Sequence, residues 1–189
     1  MLSLKIVTWF SAIWIFCLIV AFIAEFAWNT KELDLDFESA WENGDLETLQ
    51  YIISHELNQN SKNELLIRAC NERNNTEIAR LLLKNGADLK QKEWKPLSFA
   101  ISQRNLPLLE LLINAGANVN VRHHYTDTSI LSIAAYHGNT EAMKLLIKNG
   151  ANVDAKDIEG KKPLHFAVDR GNIEGIKLLV AESEKGMNL

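Results

Sequence analysis

The chain has 189 residues, of which 47% are apolar and 23% charged, and its formal net charge is -4. This composition is typical of a chain that folds, and it excludes disorder as the main state. The slight acidic excess argues against nucleic-acid binding, and two cysteines are too few for a disulfide framework.

The first element in the chain is an apolar segment of 19 residues without a charge, from Ile6 to Ala24. As a helix rising about 1.5 Å per residue it extends roughly 28 Å, close to the hydrocarbon thickness of a bilayer. Trp9 and Trp28 flank it, where amphipathic rings favour the membrane interface. We therefore predict an uncleaved transmembrane anchor over residues 1–28, with membrane contact through residues 4–28, followed by a linker over residues 29–36.

Three other interpretations of this segment fit the sequence less well. A cleaved signal peptide needs small residues before the cut, and cleavage after Ala24 would place Phe22 there. A lipoprotein signal needs small residues before Cys17, where Phe16 stands instead. A buried helix of a soluble domain would need a large apolar partner surface.

The charges around the segment indicate its orientation. Lys5 precedes it, and acidic residues dominate the stretch that follows. Because basic residues stay on the cytoplasmic side, we expect the N-terminus inside and the rest of the chain outside. In a Gram-negative bacterium this makes a single-pass inner-membrane protein with its folded domain in the periplasm.

The remainder of the chain repeats one motif with a period near 33 residues. Similar turns stand at residues 84–89, 114–119 and 148–153, each after a leucine-rich amphipathic stretch. A second short helix, centred on a small residue, is predicted upstream of each stretch. These small residues are Ala40, Cys70, Ala100, Ala134 and Ala167. Each period therefore predicts two short helices and a turn.

Residue types at the helix junctions agree with this interpretation. A positive φ is needed between the two helices, which glycine supplies and arginine tolerates poorly. The junction residues are Gly44, Asn74, Arg104, Gly138 and Gly171. The predicted N-caps of the second helices are Asp45, Asn75, Asn105, Asn139 and Asn172. The predicted core of the second helices contains Ile52, Leu82, Leu112, Leu146 and Leu179.

These motifs resemble those of the ankyrin repeat. The family's Thr-Pro-Leu-His opening is matched by Lys162-Pro163-Leu164-His165, and its Gly-Asn-x-Glu junction by residues 138–141 and 171–174. The resemblance implies an all-α ankyrin-repeat solenoid, with helix-turn-helix units and β-hairpin fingers, after a single transmembrane helix. The ankyrin domain is predicted over residues 33–189, with five units at 33–62, 63–92, 93–125, 126–157 and 158–189.

The two terminal units depart from the repeat pattern. The first lacks the Gly-Ala turn and carries eight carboxylates against two lysines between Asn29 and Lys62. We interpret it as the N-terminal cap, whose outer face meets water. The last unit has a lengthened second helix, and its final residues, 186–189, are expected to fray.

Partners of this family usually bind on the concave side, formed by fingertips and exposed first-helix positions. The resemblance implies fingers at residues 91–94, 125–128 and 158–161. Aromatic and arginine side chains dominate interface hot spots. The predicted partner-binding residues are Trp94, Tyr125, Tyr136, His137, Arg170, Arg73, Gln103 and His124. Simpler roles stay open: Trp94 packing on a neighbouring finger, Tyr136 lying on the next unit, and the finger at 123–125, one residue longer than the next, as a tolerated insertion.

Nothing in the sequence predicts a metal site, a cofactor site or catalysis. His123 and His124 are adjacent, so in an extended segment they face opposite ways and do not chelate one ion easily. His165 belongs to the repeat opening, where the family uses the ring to cap backbone, and Cys70 is expected to be a buried, inert thiol. We find neither a phosphate-binding loop nor a nucleophile elbow.

The predicted function is a membrane-anchored, non-catalytic module that binds a folded protein partner through its concave face, without nucleic acid or a small-molecule substrate. A second hypothesis is a periplasmic immunity protein that neutralises a secreted bacterial toxin or lipase effector. Its acidic first unit would then attract a basic partner. A third hypothesis is an assembly or accessory factor of a membrane enzyme complex, held through the transmembrane helix.

Overall fold

A computed structural model describes residues 37–72, 75–89 and 94–187. The predicted anchor and linker, the predicted contact Arg73 and the last two residues of the predicted frayed end lie outside the described residues. Among the described helices, none is long and apolar enough to cross a membrane. The fold divides into two compact units, one ending at Ile52 and the other beginning at Ile53.

The described residues form ten helices in five pairs, which confirms the predicted all-α repeat. Residues 37–43 are helical and are called α1. The other helices are α2 (Leu46–His55), α3 (Gln59–Asn71), α4 (Thr76–Lys84), α5 (Trp94–Ser102), α6 (Leu106–Asn114), α7 (Ile130–Tyr136), α8 (Thr140–Lys148), α9 (Pro163–Asp169) and α10 (Ile173–Met187). The last helix has 15 residues, as the lengthened final unit predicts.

The unit that ends at Ile52 contains α1 and the start of α2. Trp41 is 3% exposed, and its ring lies 5.6 Å from that of Phe37. Gly44 joins the two helices at a φ of 68°. Asp45 caps α2 as predicted, because its Oδ1 accepts from the backbone N–H groups of Glu47 and Thr48, each at 3.2 Å.

The unit that begins at Ile53 contains two layers of helices. The first helices α3, α5, α7 and α9 pack in succession, and the second helices α4, α6, α8 and α10 pack in parallel order beside them. The small residues of the first layer and the leucines of the second are buried, which confirms the predicted core. They are Cys70, Ala100, Ala134, Ala167, Leu82, Leu112, Leu146 and Leu179.

Three of the four predicted asparagine caps in this unit bond to their helices through the side chain. Asn105, Asn139 and Asn172 each accept a backbone N–H of the following helix at 3.0–3.1 Å. Asn75 precedes α4 but makes no side-chain cap bond. Its Nδ2 donates instead to Glu72 Oε2 at 2.9 Å, so the side-chain amide bonds to a residue that precedes the helix. Asn75 is therefore the N-cap residue of α4, as predicted, but without the side-chain bond that stabilises a cap.

Successive repeats of the unit that begins at Ile53 are joined by hydrogen bonds between side-chain amides and backbone groups. Asn139 Nδ2 donates to the carbonyl oxygen of Ile101 at 3.0 Å. Asn120 Nδ2 donates to the carbonyl oxygen of Gly150 at 3.0 Å, and its Oδ1 accepts from the N–H of Asn152 at 2.8 Å. These bonds satisfy buried or loop backbone groups and fix the register of the stack.

The α6–α7 connection contains the predicted β-hairpin finger in a minimal form. Within the described part of the chain, β-pairing is reduced to one isolated antiparallel bridge between Arg122 and Ser129. The N–H of Asp127 bonds to the carbonyl oxygen of His123 at 2.8 Å, and Asp127 itself has a φ of 52°. The N–H of His123 bonds to the carbonyl oxygen of Thr128 at 2.9 Å, and that of Ile130 to the carbonyl oxygen of Val121 at 3.3 Å, as in an antiparallel pair. The α6–α7 connection has 15 residues against 14 in α8–α9, which confirms the predicted extra residue.

The second helix pair begins differently from the others. Where Glu56-Leu57 replaces the Gly-Ala turn, Asn58 Oδ1 accepts the N–H of Ser61 at 3.0 Å and starts α3 at Gln59. Helix α3 has 13 residues and crosses the position at which we placed the boundary between the first two repeats. The unit boundaries themselves stay a prediction.

Candidate binding surface

Four aromatic rings meet beside the turn that follows α6, and we call them the finger cluster: Trp94, His123, His124 and Tyr125. The Trp94 and His123 ring centroids are 4.4 Å apart at 77°, and those of His124 and Tyr125 are 3.8 Å apart. Tyr125 is 77% exposed. Trp94 is half-buried and is the first described residue of α5, so it packs on the next finger from a helix.

The finger that carries three of these rings is held by one arginine. Arg122 Nε donates to Asp127 Oδ1 at 2.7 Å, and its Nη2 donates to the carbonyl oxygen of Lys156 in the next finger. The N–H of Ile158 also bonds to the carbonyl oxygen of Thr126 at 3.2 Å. Because both fingers are tied together, little ordering is needed before this surface meets a partner.

A second site lies at the ends of α5, α7 and α9, and we call it the arginine groove. It is lined by Arg104, Tyr136, His137, Gly138, Arg170 and Asn172 and encloses about 490 Å³. Arg104 has the predicted positive φ, 55°. Its Nη2 donates to the carbonyl oxygens of His137 at 3.1 Å and Gly138 at 3.3 Å. The strained backbone therefore carries a side chain that reaches the next repeat.

In the arginine groove, the ring of Tyr136 contacts both the guanidinium group of Arg170 and the ring of His137. The guanidinium carbon of Arg170 lies 3.9 Å from the Tyr136 ring centroid, a cation–π contact. The His137 ring stands nearly perpendicular to the tyrosine ring at 5.5 Å. Burial lowers the pKa of His137, and the charges of Arg170 and then Arg104 lower it further. The groove thus has a positive potential at neutral pH.

An apolar pocket of about 220 Å³ connects the two sites. It is lined by His123, Thr126, Thr128, Ser132, Ile133, Tyr136 and Phe166. His123 also belongs to the finger cluster, and Tyr136 also belongs to the arginine groove. The finger cluster, this pocket and the arginine groove therefore form one surface, which we call the finger face.

The finger face brings together six of the eight predicted contact residues: Trp94, His124, Tyr125, Tyr136, His137 and Arg170. Gln103 has another role, because its Nε2 donates to the carbonyl oxygens of Asn71 at 2.6 Å and Cys70 at 3.2 Å. Sequence reasoning missed Arg104, Ile133 and Phe166. The spacing of one repeat between Arg104 and His137 was the available signal. That any of these residues contacts a partner stays a prediction.

The remaining histidine and cysteine predictions concern structure. His165 Nδ1 accepts the N–H of Lys162 at 2.8 Å, which confirms its capping role. Cys70 is buried, and burial raises the pKa of its thiol to about 12, so the thiolate is strongly disfavoured. Among the described residues, no group of three His, Cys, Asp or Glu side chains is placed to hold a metal ion.

Helix pairs whose first and second helices form two layers define the class of helical repeat solenoids. Proteins of this class bind other proteins on an extended surface. Comparison with known families gives the particular repeat. A family model described as ankyrin repeats (3 copies) matches residues 37–123 and 97–189. The chain belongs to the ankyrin-repeat family. Such repeats are protein–protein interaction modules, and the fold is generally non-catalytic.

Three proteins much longer than this chain are similar to it over part of their length. The probable E3 ubiquitin-protein ligase XBOS33 of Oryza sativa subsp. japonica is 33% identical over 88 residues, which is 46% of this chain and 17% of that protein. The ankyrin repeat and KH domain-containing protein mask-1 of Caenorhabditis elegans is 32% identical over 148 residues, 76% of this chain and 6% of that protein.

The E3 ubiquitin-protein ligase KEG of Arabidopsis thaliana is 30% identical over 115 residues, 58% of this chain and 7% of that protein. The chain thus spans less than a fifth of the length of each of these relatives. Their named activities belong to much longer proteins and are not transferred to this chain.

Proposed function

We propose that this chain is a membrane-anchored interaction module that binds a folded protein partner on the finger face. The observation that supports it best is the exposure of aromatic side chains on a rigid surface. Tyr125 is 77% and Tyr136 47% exposed, although both lie in ring contacts that hold them in place. Tyrosines held in this way offer large contact area at a small entropic cost.

A rigid surface is suited to a folded partner. Arg122 ties the two fingers together, and Arg104 ties α5 to the turn after α7. Two preformed surfaces associate with a small loss of backbone entropy. Six residues of the finger face are among those that the family resemblance implies for the concave side.

The anchor and its orientation are part of the proposal. They are supported by the apolar segment from Ile6 to Ala24 and by the acidic residues that follow it. An N-terminal helix in the bilayer would confine the repeats to the membrane surface. Reporter fusions after Leu189 test the orientation, and activity of a cytoplasm-dependent reporter alone would contradict a periplasmic domain.

Binding is tested by affinity capture with the full chain in its own membranes. We expect the double variant Tyr125→Ala with Tyr136→Ala to lose at least nine-tenths of the captured partner, since two hot-spot tyrosines together contribute roughly 2–4 kcal/mol. Tyr51→Ala is the matched control, because Tyr51 is 60% exposed but is not a residue of the finger face. Unchanged capture by the folded double variant would contradict the assignment of the surface.

A narrower form of this function is favoured by the acidic first repeat. Eight carboxylates stand against two lysines between Asn29 and Lys62, a charge that accelerates association with a basic partner. The partner would then be a secreted toxin or lipase effector, and the chain its periplasmic immunity protein. A neighbouring gene for a secreted hydrolase, and neutralisation of that enzyme by the purified chain, are the expected results. Capture of membrane-enzyme subunits through the anchor alone would instead support an assembly factor.

A further inference from the structure

The two arginines of the arginine groove keep much of their hydrogen-bonding capacity. Arg104 donates to the carbonyl oxygens of His137 and Gly138 through Nη2 alone, so its remaining N–H groups are not used in those bonds. Among the residues that the structure describes, neither Arg104 nor Arg170 forms a salt bridge. Two guanidinium groups therefore face one groove without an internal counter-charge.

Each guanidinium is also held in position. Arg104 is fixed by two carbonyl groups of the next repeat, and Arg170 is stacked on the Tyr136 ring at 3.9 Å. A guanidinium that stacks through its face keeps the N–H groups of its edge for bidentate bonds. An anion that enters this groove therefore meets donors that need little further ordering.

The neighbouring pocket adds a requirement for an apolar group. Ile133, Phe166 and the ring of Tyr136 line it, and Tyr136 is shared with the arginine groove. A ligand that fills both sites must therefore place an apolar side chain close to a negative charge. Short peptide segments that combine a carboxylate with a leucine or similar residue have this chemistry.

We propose that the arginine groove binds a carboxylate side chain of the protein partner, in a segment whose neighbouring apolar side chain enters the pocket beside Tyr136. This inference rests on the proposed function and adds the chemistry of the partner's contact segment. A nucleic acid would need an extended basic track, whereas this chain has a net charge of -4.

The test is a titration of the full chain, in detergent micelles, with short peptides. Binding is measured by fluorescence, and NMR of the histidine side chains reports the pKa of His137. The probe is the peptide acetyl-Leu-Glu-Ala-Leu-Glu amide, compared with the same peptide carrying glutamine for glutamate and with one carrying phosphoserine. We expect the glutamate peptide to bind at least about fivefold more tightly than the glutamine peptide. It should also raise the pKa of His137, because a carboxylate in the groove favours the imidazolium form.

Variants connect this binding to the two arginines. Arg104→Gln and Arg170→Gln should each lower the affinity for the glutamate peptide about three- to tenfold. Arg80→Gln is the matched control, because Arg80 is an exposed arginine of α4 that pairs with Glu77 and should leave binding unchanged.

Several results would overturn the inference. The first is that the glutamate and glutamine peptides bind equally, and the second is that only the phosphoserine peptide binds more tightly than the glutamine peptide. The third is that the pKa of His137 does not change on binding, and the fourth is that both arginine variants bind the glutamate peptide as tightly as the original chain. Each of these leaves the proposed function intact if the captured partner still depends on Tyr125 and Tyr136. If capture of the partner does not depend on Tyr125 and Tyr136, the proposed function itself is wrong.

Discussion

Asn139 makes bonds within its own helix and to the preceding repeat, and its replacement by alanine should be costly. The side chain is 5% exposed, caps α8 through the N–H of Ala142 at 3.1 Å, and donates to the carbonyl oxygen of Ile101 at 3.0 Å. Loss of the cap costs about 1 kcal/mol. The carbonyl oxygen of Ile101 keeps the N–H of Arg104 at 3.1 Å as a donor, and loss of its buried bond from Asn139 costs about 1 kcal/mol more. Asn139→Ala should therefore lower the free energy of unfolding by about 2 kcal/mol.

Asn75→Ala is the matched control, since Asn75 is the N-cap residue of α4 but makes no side-chain bond to that helix. It gives up only the bond to Glu72, and we expect a loss of about 0.5 kcal/mol. Urea unfolding of the full chain in micelles, followed by circular dichroism, measures both. With a slope of about 2 kcal/mol per molar urea, the Asn139 variant should shift the midpoint by about 1 M. Equal shifts for the two variants would refute the reasoning.

Three further predictions concern the core, a junction and the groove. Leu112→Ala should lower the free energy of unfolding by about 3 kcal/mol in urea melts, because the side chain is 0% exposed. Gly138→Ala should cost about 1 kcal/mol in the same assay, from its φ of 60° alone, since its added Cβ would meet no atom within 4 Å. NMR titration should place the pKa of His137 below 6.5, with Arg170→Gln raising it. Because the pKa is lower in the folded state, this histidine should reduce stability as pH falls below about 6.5.

The sequence was sufficient for features that depend on a single repeat position. Each buried alanine or leucine recurs at the same phase, so the burial of Ala134 and Leu146 followed from the period. The positive φ of Arg104 followed from its alignment with the glycines of other junctions. These properties recur with the repeat, so one position in the motif predicts them for every unit.

Features that depend on contacts between repeats could not be predicted in this way. Arg104 was interpreted only as a strained junction, yet its side chain reaches the carbonyl groups that follow α7. Trp94 was placed at a fingertip, but it begins α5, and its packing against His123 was only one of the interpretations left open. Asn75 has the residue type of a cap, and a nearby acceptor on Glu72 draws its amide away. In each case the role of the side chain depends on which residue lies close to it in the folded chain, and the repeat pattern does not predict that residue.

The central claim is that the finger face contacts a protein partner, and site-specific photo-crosslinking tests it most directly. A photoreactive phenylalanine would be placed singly at Tyr125, Tyr136 or Tyr51 of the full chain in its native membrane. We expect the positions in the finger cluster and the arginine groove to crosslink to the same protein, while the position in α2 does not. Crosslinks to that partner from Tyr51 alone, with none from Tyr125 or Tyr136, would contradict this claim.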